Sequence, residues 1–376
     1  MKILLIAENW PPRQGGIERY LSNLATCLGQ DNDVTVIAPH SVGEESSSVK
    51  VITKRFFWPI IKPAWLPLCI GVYRLAKKER FDVVLCGKAL FEGQIARYLK
   101  RYFQIPFVVF TYGMEIKTWQ SQRRNRRKLM TVLRAVDIAA YINNETKDDL
   151  SSLGVADSKL MKLTPAVGEE FLRSVPENKV VGVLEKTNVA KPYVLSVGRL
   201  VKRKGFDQLI EAFAQVEQTR YGDWSLVVVG DGPEKTDLAN MAEKNLIGKR
   251  VIFTGAIDDM YLRLLYGQAG FFALTPKNLP NDIEGFGIVY LEAAACGLAV
   301  LATKTGGVTE AVVDGETGIL VGRDNIKAIT VGLERLMLDA QKRSCLGENG
   351  KRRVENDFRW SQRASQLVEE IQKRLG

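Results

Sequence analysis

Glu284 and Glu292 bracket the run Gly285-Phe286-Gly287-Ile288-Val289-Tyr290-Leu291. Gly285 and Gly287 permit close backbone approach, and an apolar helical pattern begins at Ile288. Free N–H groups and the positive end of a helix dipole are thereby offered to an anion. Glu292 falls just over one turn into the helix, where an ionised carboxylate accepts hydrogen bonds from two neighbouring hydroxyls. Glu284, placed before the turn, can do the same for a second polyol. One short element thus has the means to hold a sugar, a phosphate and a ribose. A capped surface helix with two solvated glutamates is the plain alternative. The glycines that follow, in Ala295-Cys296-Gly297 and in Gly306-Gly307 ahead of Glu310, weigh against it.

A second group is cationic. Arg199 and Lys204 stand in Ser196-Val197-Gly198-Arg199-Leu200-Val201-Lys202-Arg203-Lys204-Gly205-Phe206, directly after a strand pattern and before a helical one. That is the carboxyl edge of a parallel sheet, where ligands bind, and two fixed cations there neutralise a diphosphate leaving group without a metal. Gly15-Gly16 likewise follows a strand and opens a helix, presenting bare N–H groups to a phosphate. Tyr112-Gly113-Met114-Glu115 follows the strand Phe107–Thr111 and belongs to the same class of edge loop. Gly230-Asp231-Gly232 and Ala256-Ile257 are loops where a nucleobase can approach the backbone, although Gly-Asp-Gly is also a good tight turn. Asp31-Asn32-Asp33 has the form DxD but precedes a strand, so a polar turn is the better reading.

These groups need elements to position them. In the first half, apolar runs at Lys2–Glu8, Asp33–Ala38, Asp82–Leu85, Phe107–Thr111 and Ile138–Ile142 read as strands buried on both faces, with Ile17–Leu28 helical. The second half repeats the alternation. Its strands are Tyr193–Val197, Trp224–Val229, Arg250–Thr254, Gly270–Leu274 and Leu298–Thr303. Its helices are Phe206–Gln218, Glu234–Asn245, Asp259–Gln268 and Ile288–Ala295. Two successive βαβ arrays imply an α/β protein with two doubly wound, Rossmann-like domains facing across a cleft. The expected domains are residues 1–168 and 169–360, with the seam in the polar stretch Gly168–Lys191.

Bulk properties bound the chemistry. The chain has 376 residues, 46% of them hydrophobic, enough for two folded cores. Its five cysteines are scattered, without a CxxC pair, which fits buried thiols in a reducing compartment. The apolar start Met1–Ala7 ends too early at Glu8 for a signal peptide, so a cytoplasmic protein is expected. His40, the only histidine, reads as a loop residue; Ser-His-Asp hydrolysis and multi-histidine metal sites are thereby excluded.

The net charge is +10, and it is concentrated: Arg97–Arg134 holds ten Lys/Arg against one acidic residue, Glu115. Arg123, Arg127 and Arg134 share a helical face, with Arg124 beside them, opposite Leu129, Val132, Leu133 and Val136. Membrane and nucleic acid are the natural anionic partners of such a surface. The arginine run lacks interleaved aromatic base platforms, so an anionic membrane is expected and nucleic acid is not. Phe56–Tyr73 is long and apolar, but Pro59, Pro63 and Pro67 argue against a spanning helix. It reads as a broken loop running into a helix, with Phe57, Trp58 and Trp65 either exposed to a membrane or packed on the first domain.

The combination of Pro11-Pro12-Arg13-Gln14-Gly15-Gly16, Gly198-Arg199-Leu200 with Lys204-Gly205, Glu284-Gly285-Phe286-Gly287 with Glu292, and Ala295-Cys296-Gly297 with Gly306-Gly307 resembles the family 4 retaining glycosyltransferases of GT-B fold. The resemblance spans nearly the full length and is closest to phosphatidylinositol mannosyltransferases and related lipid or polysaccharide mannosyltransferases. It implies an N-terminal acceptor domain, onto which the terminal helix 361–375 packs back, and a C-terminal donor domain. It also implies that Arg199 and Lys204 grip the diphosphate, Glu292 the nucleotide ribose, and Glu284 with the amides of Phe286 and Gly287 the hexose. Ile288, Gly230 and Ile257 complete the donor site, and Gly16 sits beside the distal phosphate. Many relatives have histidine where Tyr112 stands, and Ala166-Val167-Gly168-Glu169 departs from the family's usual Asn-Gly-Val-Asp turn.

The resemblance further implies front-face departure and attack with retention, no metal and no cofactor besides the nucleotide sugar. The expected activity moves a hexose, with GDP-mannose the favoured donor, to a lipid-linked or polysaccharide-precursor acceptor at the inner face of the cell membrane. A UDP-sugar donor, a nucleotide-sugar epimerase of similar architecture and a nucleic-acid-binding protein are the alternatives.

Overall fold

The computed structural model describes all residues except 14, 40–47, 59, 174–188, 222, 281 and 376, and leaves the side chains of 218 and 219 undescribed. His40 and most of the expected seam therefore lie outside the described residues. The chain divides into two compact units, Met1–Pro165 with Trp360–Gly376, and Ala166–Arg359.

The first unit is built on a seven-stranded sheet: β1 (Lys2–Ile6), β2 (Asp33–Ala38), β3 (Val49–Thr53), β4 (Val83–Cys86), β5 (Phe107–Thr111), β6 (Ile138–Tyr141) and β7 (Leu160–Lys162). Their spatial order is β3-β2-β1-β4-β5-β6-β7, with every pairing parallel. Ile3 thus pairs with Val34 on one side and Val83 on the other. The order reverses at β1, and the loops beyond β1, β4 and β5 flank the crevice such a reversal leaves at the carboxyl edge. The inner strands β4, β5 and β6 are buried along their whole length, which is why they are apolar throughout instead of alternating.

The terminal helix Trp360–Leu375 belongs to this first unit. Trp360 stands edge-on to Tyr20 of the helix Gly16–Asp31, with ring centroids 5.0 Å apart. Arg363 donates to the Thr164 carbonyl at 3.2 Å, and Gln366 to that of Lys162 at 3.0 Å.

The second unit carries six parallel strands: β8 (Tyr193–Val197), β9 (Ser225–Val229), β10 (Val251–Gly255), β11 (Phe271–Leu274), β12 (Val300–Thr303) and β13 (Gly318–Val321), ordered β10-β9-β8-β11-β12-β13. Here the reversal falls at β8, so its exit loop, which carries Arg199 and Lys204, is again at the switch point. The helix expected to reach Gln218 stops at Ala214, with Gln215 as its C-cap.

One expectation is corrected in the proline-rich segment. Trp65 is buried, only 8% exposed, and belongs to the first unit's core with Phe56 and Leu68. It cannot serve as a membrane anchor. Phe57 is half-buried against Phe91, at 5.0 Å between centroids. Trp58 is exposed, with the Arg55 guanidinium 5.0 Å over its ring. The segment then enters the helix Leu66–Lys78, with Pro67 in its first turn, where the missing N–H costs nothing. Among the described residues no helix is long and apolar enough to cross a membrane.

Candidate active site

In the second unit the site begins where β8 ends. Gly198 N–H continues the ladder to Val229 O at 3.0 Å, and Leu200 N–H then bonds Asp231 O at 3.0 Å. The loops after β8 and β9 are thus laced together. A Cβ on Gly230 would lie 2.0 Å from the Gly198 carbonyl oxygen, so this close packing itself requires the glycine. Arg199 is exposed on this loop, and no ion pair joins its side chain to the groups that follow. The chain makes one tight turn, Lys202–Lys204, which ends at Gly205 and leads into the helix Phe206–Ala214.

That turn delivers two cations to one carboxylate. Lys204 Nζ lies 2.8 Å and Arg203 Nη1 2.5 Å from Oε2 of Glu284. Arg203 Nε also reaches Asp282 Oδ1 at 3.1 Å. Lys204 and Glu284 are buried, and Arg203 is half-buried. Burial pushes the Glu284 carboxyl up, but Lys204 and Arg203 pull harder and hold it below the usual carboxylate range. Glu284 is therefore an anion in place at neutral pH.

The backbone around Glu284 is fixed from the other side, since Gly307 N–H donates to its carbonyl at 3.3 Å. Gly287, at φ +82, caps the helix Ile288–Ala295, whose fifth residue is Glu292. Glu292 is buried, and its Oε2 accepts from the Tyr266 hydroxyl at 3.1 Å. Tyr266 is itself wedged between Phe171 and Phe272. Phe286 is buried near Phe358, Ile288 is half-exposed, and Ile257 is half-buried in the loop after β10. The second unit thus brings Lys204 and Glu284 into contact, puts Glu292 on the adjoining helix, and leaves Arg199 open to solvent.

Arg203 and Tyr266 escaped the sequence reading. Arg203 had a signal: two consecutive cations facing two acids, Asp282 and Glu284, two positions apart in a loop. Tyr266 had none, because it is one aromatic among several on an ordinary amphipathic helix.

In the first unit, Gly15 caps and Gly16 opens the helix Gly16–Asp31, both exposed. Tyr112 is buried beyond β5, edge-on to Tyr20 at 5.6 Å, and its hydroxyl has no hydrogen-bond partner among the described residues. Burial drives that hydroxyl's pKa well up, so it is a neutral group and no base. Its backbone N–H donates to Glu115 Oε1 at 2.6 Å, and burial pushes the Glu115 carboxyl up to about 7. A further acid, Glu92, is fully buried beyond β4 and carries no sequence signal. Its Oε1 accepts from Glu8 N–H at 3.2 Å, its Oε2 has no hydrogen-bond partner among the described residues, and burial raises its carboxyl to about 8. Lys88 stands 3.7 Å from Glu8.

Arg123, Arg124, Arg127 and Arg134 are all exposed on the helix Arg123–Ala135, whose Leu129, Val132 and Leu133 are buried. Its apolar face is therefore part of the core, and only the basic face meets solvent. Ile60, Ile70, Tyr73 and Tyr102 are exposed on and beside the helices Leu66–Lys78 and Glu92–Phe103, Ile60 at 93%. Among the described residues no group of His, Cys, Asp and Glu side chains is gathered to hold a metal ion.

Residues 14–167 match the family model described as Glycosyltransferase Family 4, and residues 184–353 match the one described as Glycosyl transferases group 1. The chain is 29% identical over 375 residues to the GDP-mannose-dependent alpha-(1-6)-phosphatidylinositol monomannoside mannosyltransferase of Mycolicibacterium smegmatis, covering 98% of this chain and 97% of that one. It is 27% identical over 383 residues to the corresponding mannosyltransferase of Corynebacterium glutamicum that acts on the monoacylated lipid, covering 99% and 98%. Among solved structures, HepE of Anabaena in complex with UDP and glucose superposes with a TM-score of 0.80 at 20% identity, over 99% of this chain and 100% of that one.

Proposed function

The chain belongs to the family 4 glycosyltransferases of GT-B type, and from that premise we propose that it transfers mannose from GDP-mannose to a lipid-linked acceptor at a membrane surface. The observation that carries the reading is the buried Lys204–Glu284 pair, set at the sheet's switch point in a chain similar along its whole length to GDP-mannose-dependent enzymes.

Lys204 and exposed Arg199 are the cations for the diphosphate, stabilising negative charge as the leaving group departs. Glu292 takes the nucleotide ribose hydroxyls, and Glu284 with the amides of Phe286 and Gly287 takes the hexose. The transferred sugar leaves and is attacked on one face, and the departing phosphate receives the acceptor's proton. Tyr112, neutral and buried, is a hydrogen-bond donor toward the acceptor and takes no proton itself. The exposed basic face of the helix Arg123–Ala135, with Trp58 and Ile60, docks the enzyme on anionic lipid.

The test is product analysis with purified protein, membrane lipid and radiolabelled GDP-mannose, UDP-glucose or UDP-galactose. GDP release with a labelled lipid product supports the reading. Transfer from a UDP-sugar alone, or a free epimerised sugar nucleotide, overturns it.

A further inference from the structure

Glu284 uses its two carboxylate oxygens unequally. Oε2 takes both cations, Arg203 at 2.5 Å and Lys204 at 2.8 Å, while Oε1 has no partner among the described residues. The two cations are not equivalent. Lys204 carries a point charge on a flexible stem, and alone it would let the carboxylate turn and exchange its oxygens. Arg203 is a planar fork held at two places, Nη1 on Glu284 and Nε on Asp282 at 3.1 Å. Its backbone is tied as well, since Lys277 N–H donates to the Arg203 carbonyl at 2.8 Å. Among the described residues, the charged groups at this carboxylate are Arg203, Lys204 and, through Arg203, Asp282. Tyr290, which lies close enough to feel both Glu284 and Arg203, is neutral, and its hydroxyl bonds the Leu274 carbonyl at 3.2 Å.

We propose that Arg203 is a positioning and selectivity-determining residue of the donor site: by occupying Oε2 and fixing the carboxylate plane, it leaves Oε1 of Glu284 as the single acceptor for a hydroxyl of the transferred sugar. Arg203 touches no part of the diphosphate in this scheme. It also spares Lys204, whose ammonium has three donors and needs only one for Glu284. Discrimination among hexoses then depends on whether a hydroxyl meets one fixed oxygen, and a site built to bond a hydroxyl strongly rejects sugars lacking it there. This inference rests on the donor-site reading above; its electrostatic half does not.

The experiment compares wild type, Arg203→Met, Arg203→Lys and Asp282→Asn in two arms. The first follows the Glu284 carboxyl by carbon-13 NMR against pH, with Glu284→Gln identifying the resonance. Arg203→Met is expected to move the titration up by about one pH unit or more, the scale of losing a neighbouring opposite charge. Arg203→Lys should restore most of that, with Asp282→Asn intermediate.

The second arm measures GDP and GDP-mannose binding by calorimetry. Arg203→Met should bind GDP within about twofold of wild type yet lose about tenfold in its preference for GDP-mannose, as for one hydrogen bond to a charged group. An unmoved titration, or equal losses for GDP and GDP-mannose, overturns the inference. A wild-type protein that binds no GDP overturns the proposed function instead, and the carboxyl titration still decides whether Arg203 governs Glu284.

Discussion

Gly205 approaches Thr275 so closely that a Cβ on Gly205 would stand 1.8 Å from the Thr275 carbonyl oxygen. The Thr275 hydroxyl donates back to the Gly205 carbonyl at 3.0 Å, and Gln208 donates to the Thr275 carbonyl. The turn bearing Arg203 and Lys204 is thus seated on the residue that follows β11. Gly205 also has φ +67, a conformation other residues adopt only with strain. Gly205→Ala is expected to cost about 2–4 kcal/mol, combining left-handed strain with displaced backbone. Urea denaturation followed by tryptophan fluorescence measures it, and a loss under about 1 kcal/mol would contradict this seating.

The two candidate cations should separate cleanly by stability. Each of Arg199→Ala and Lys204→Ala is expected to lower turnover by about two to three orders of magnitude, the scale of removing a preorganised charge stabiliser. Arg199 is exposed and makes no ion pair among the described residues, so its loss should leave unfolding free energy within about 0.5 kcal/mol. Lys204 is buried on Glu284, and its loss should cost about 1–3 kcal/mol even with Arg203 still present. Steady-state kinetics and denaturation on the same preparations decide both halves.

Glu92 predicts the pH dependence of the first unit. Its folded carboxyl is raised from the ordinary 4.5 to about 8, first by burial and further by Glu8, against the lowering effect of its hydrogen bonds and Lys88. A raised acid binds its proton in the folded state where the unfolded chain has lost it. Its stabilising effect is therefore complete below the unfolded value and disappears as pH rises through about 8. Glu92 should contribute a fall in stability of up to about 1.4 kcal/mol per pH unit between pH 5 and 8, beside that of Glu115, whose raised carboxyl acts the same way up to about 7, and Glu92→Gln should remove the Glu92 share and leave that of Glu115. Equal slopes in the two proteins would show that Glu92 is not the titrating group.

How far these features could be read in the sequence depends on what kind of contact makes them. Apolar strands buried on both faces announce themselves, so Tyr193–Val197 and Phe107–Thr111 match the observed strands residue for residue. Three of the four edge strands do not: β3 is mixed in character, β7 has three residues, and β13 follows a polar turn, whereas β10, also at an edge, was legible as Arg250–Thr254. In the site, Lys204 and Glu284 were legible because glycines mark the turns that hold them. Arg203 was hidden by proximity, since a run of three basic residues looks like a solvated turn. Glu92 carries no sequence signal of its own, and only the sheet order β1-β4 shows why it is buried beside Glu8. Trp65 and Trp58 were indistinguishable by composition, and the core claimed one of them.

The basic helix gives the remaining prediction. Because Leu129, Val132 and Leu133 are already in the core, membrane attraction through this element must be electrostatic, with no apolar face left to insert. Each surface cation near anionic lipid contributes about 1 kcal/mol, so replacing Arg123, Arg127 and Arg134 together by alanine should weaken binding to phosphatidylglycerol vesicles by about a hundredfold at low salt. The fold should be unaffected, since all three side chains are exposed. Ile60→Asn, by contrast, should reduce binding to neutral and anionic vesicles by the same factor, because what it removes is apolar area without adding charge. Raising the salt should erase the difference between wild type and the triple variant while leaving the Ile60 effect in place. Vesicle co-sedimentation across these conditions reads all four outcomes, and a triple variant that binds anionic vesicles as wild type does would remove this helix from the docking surface.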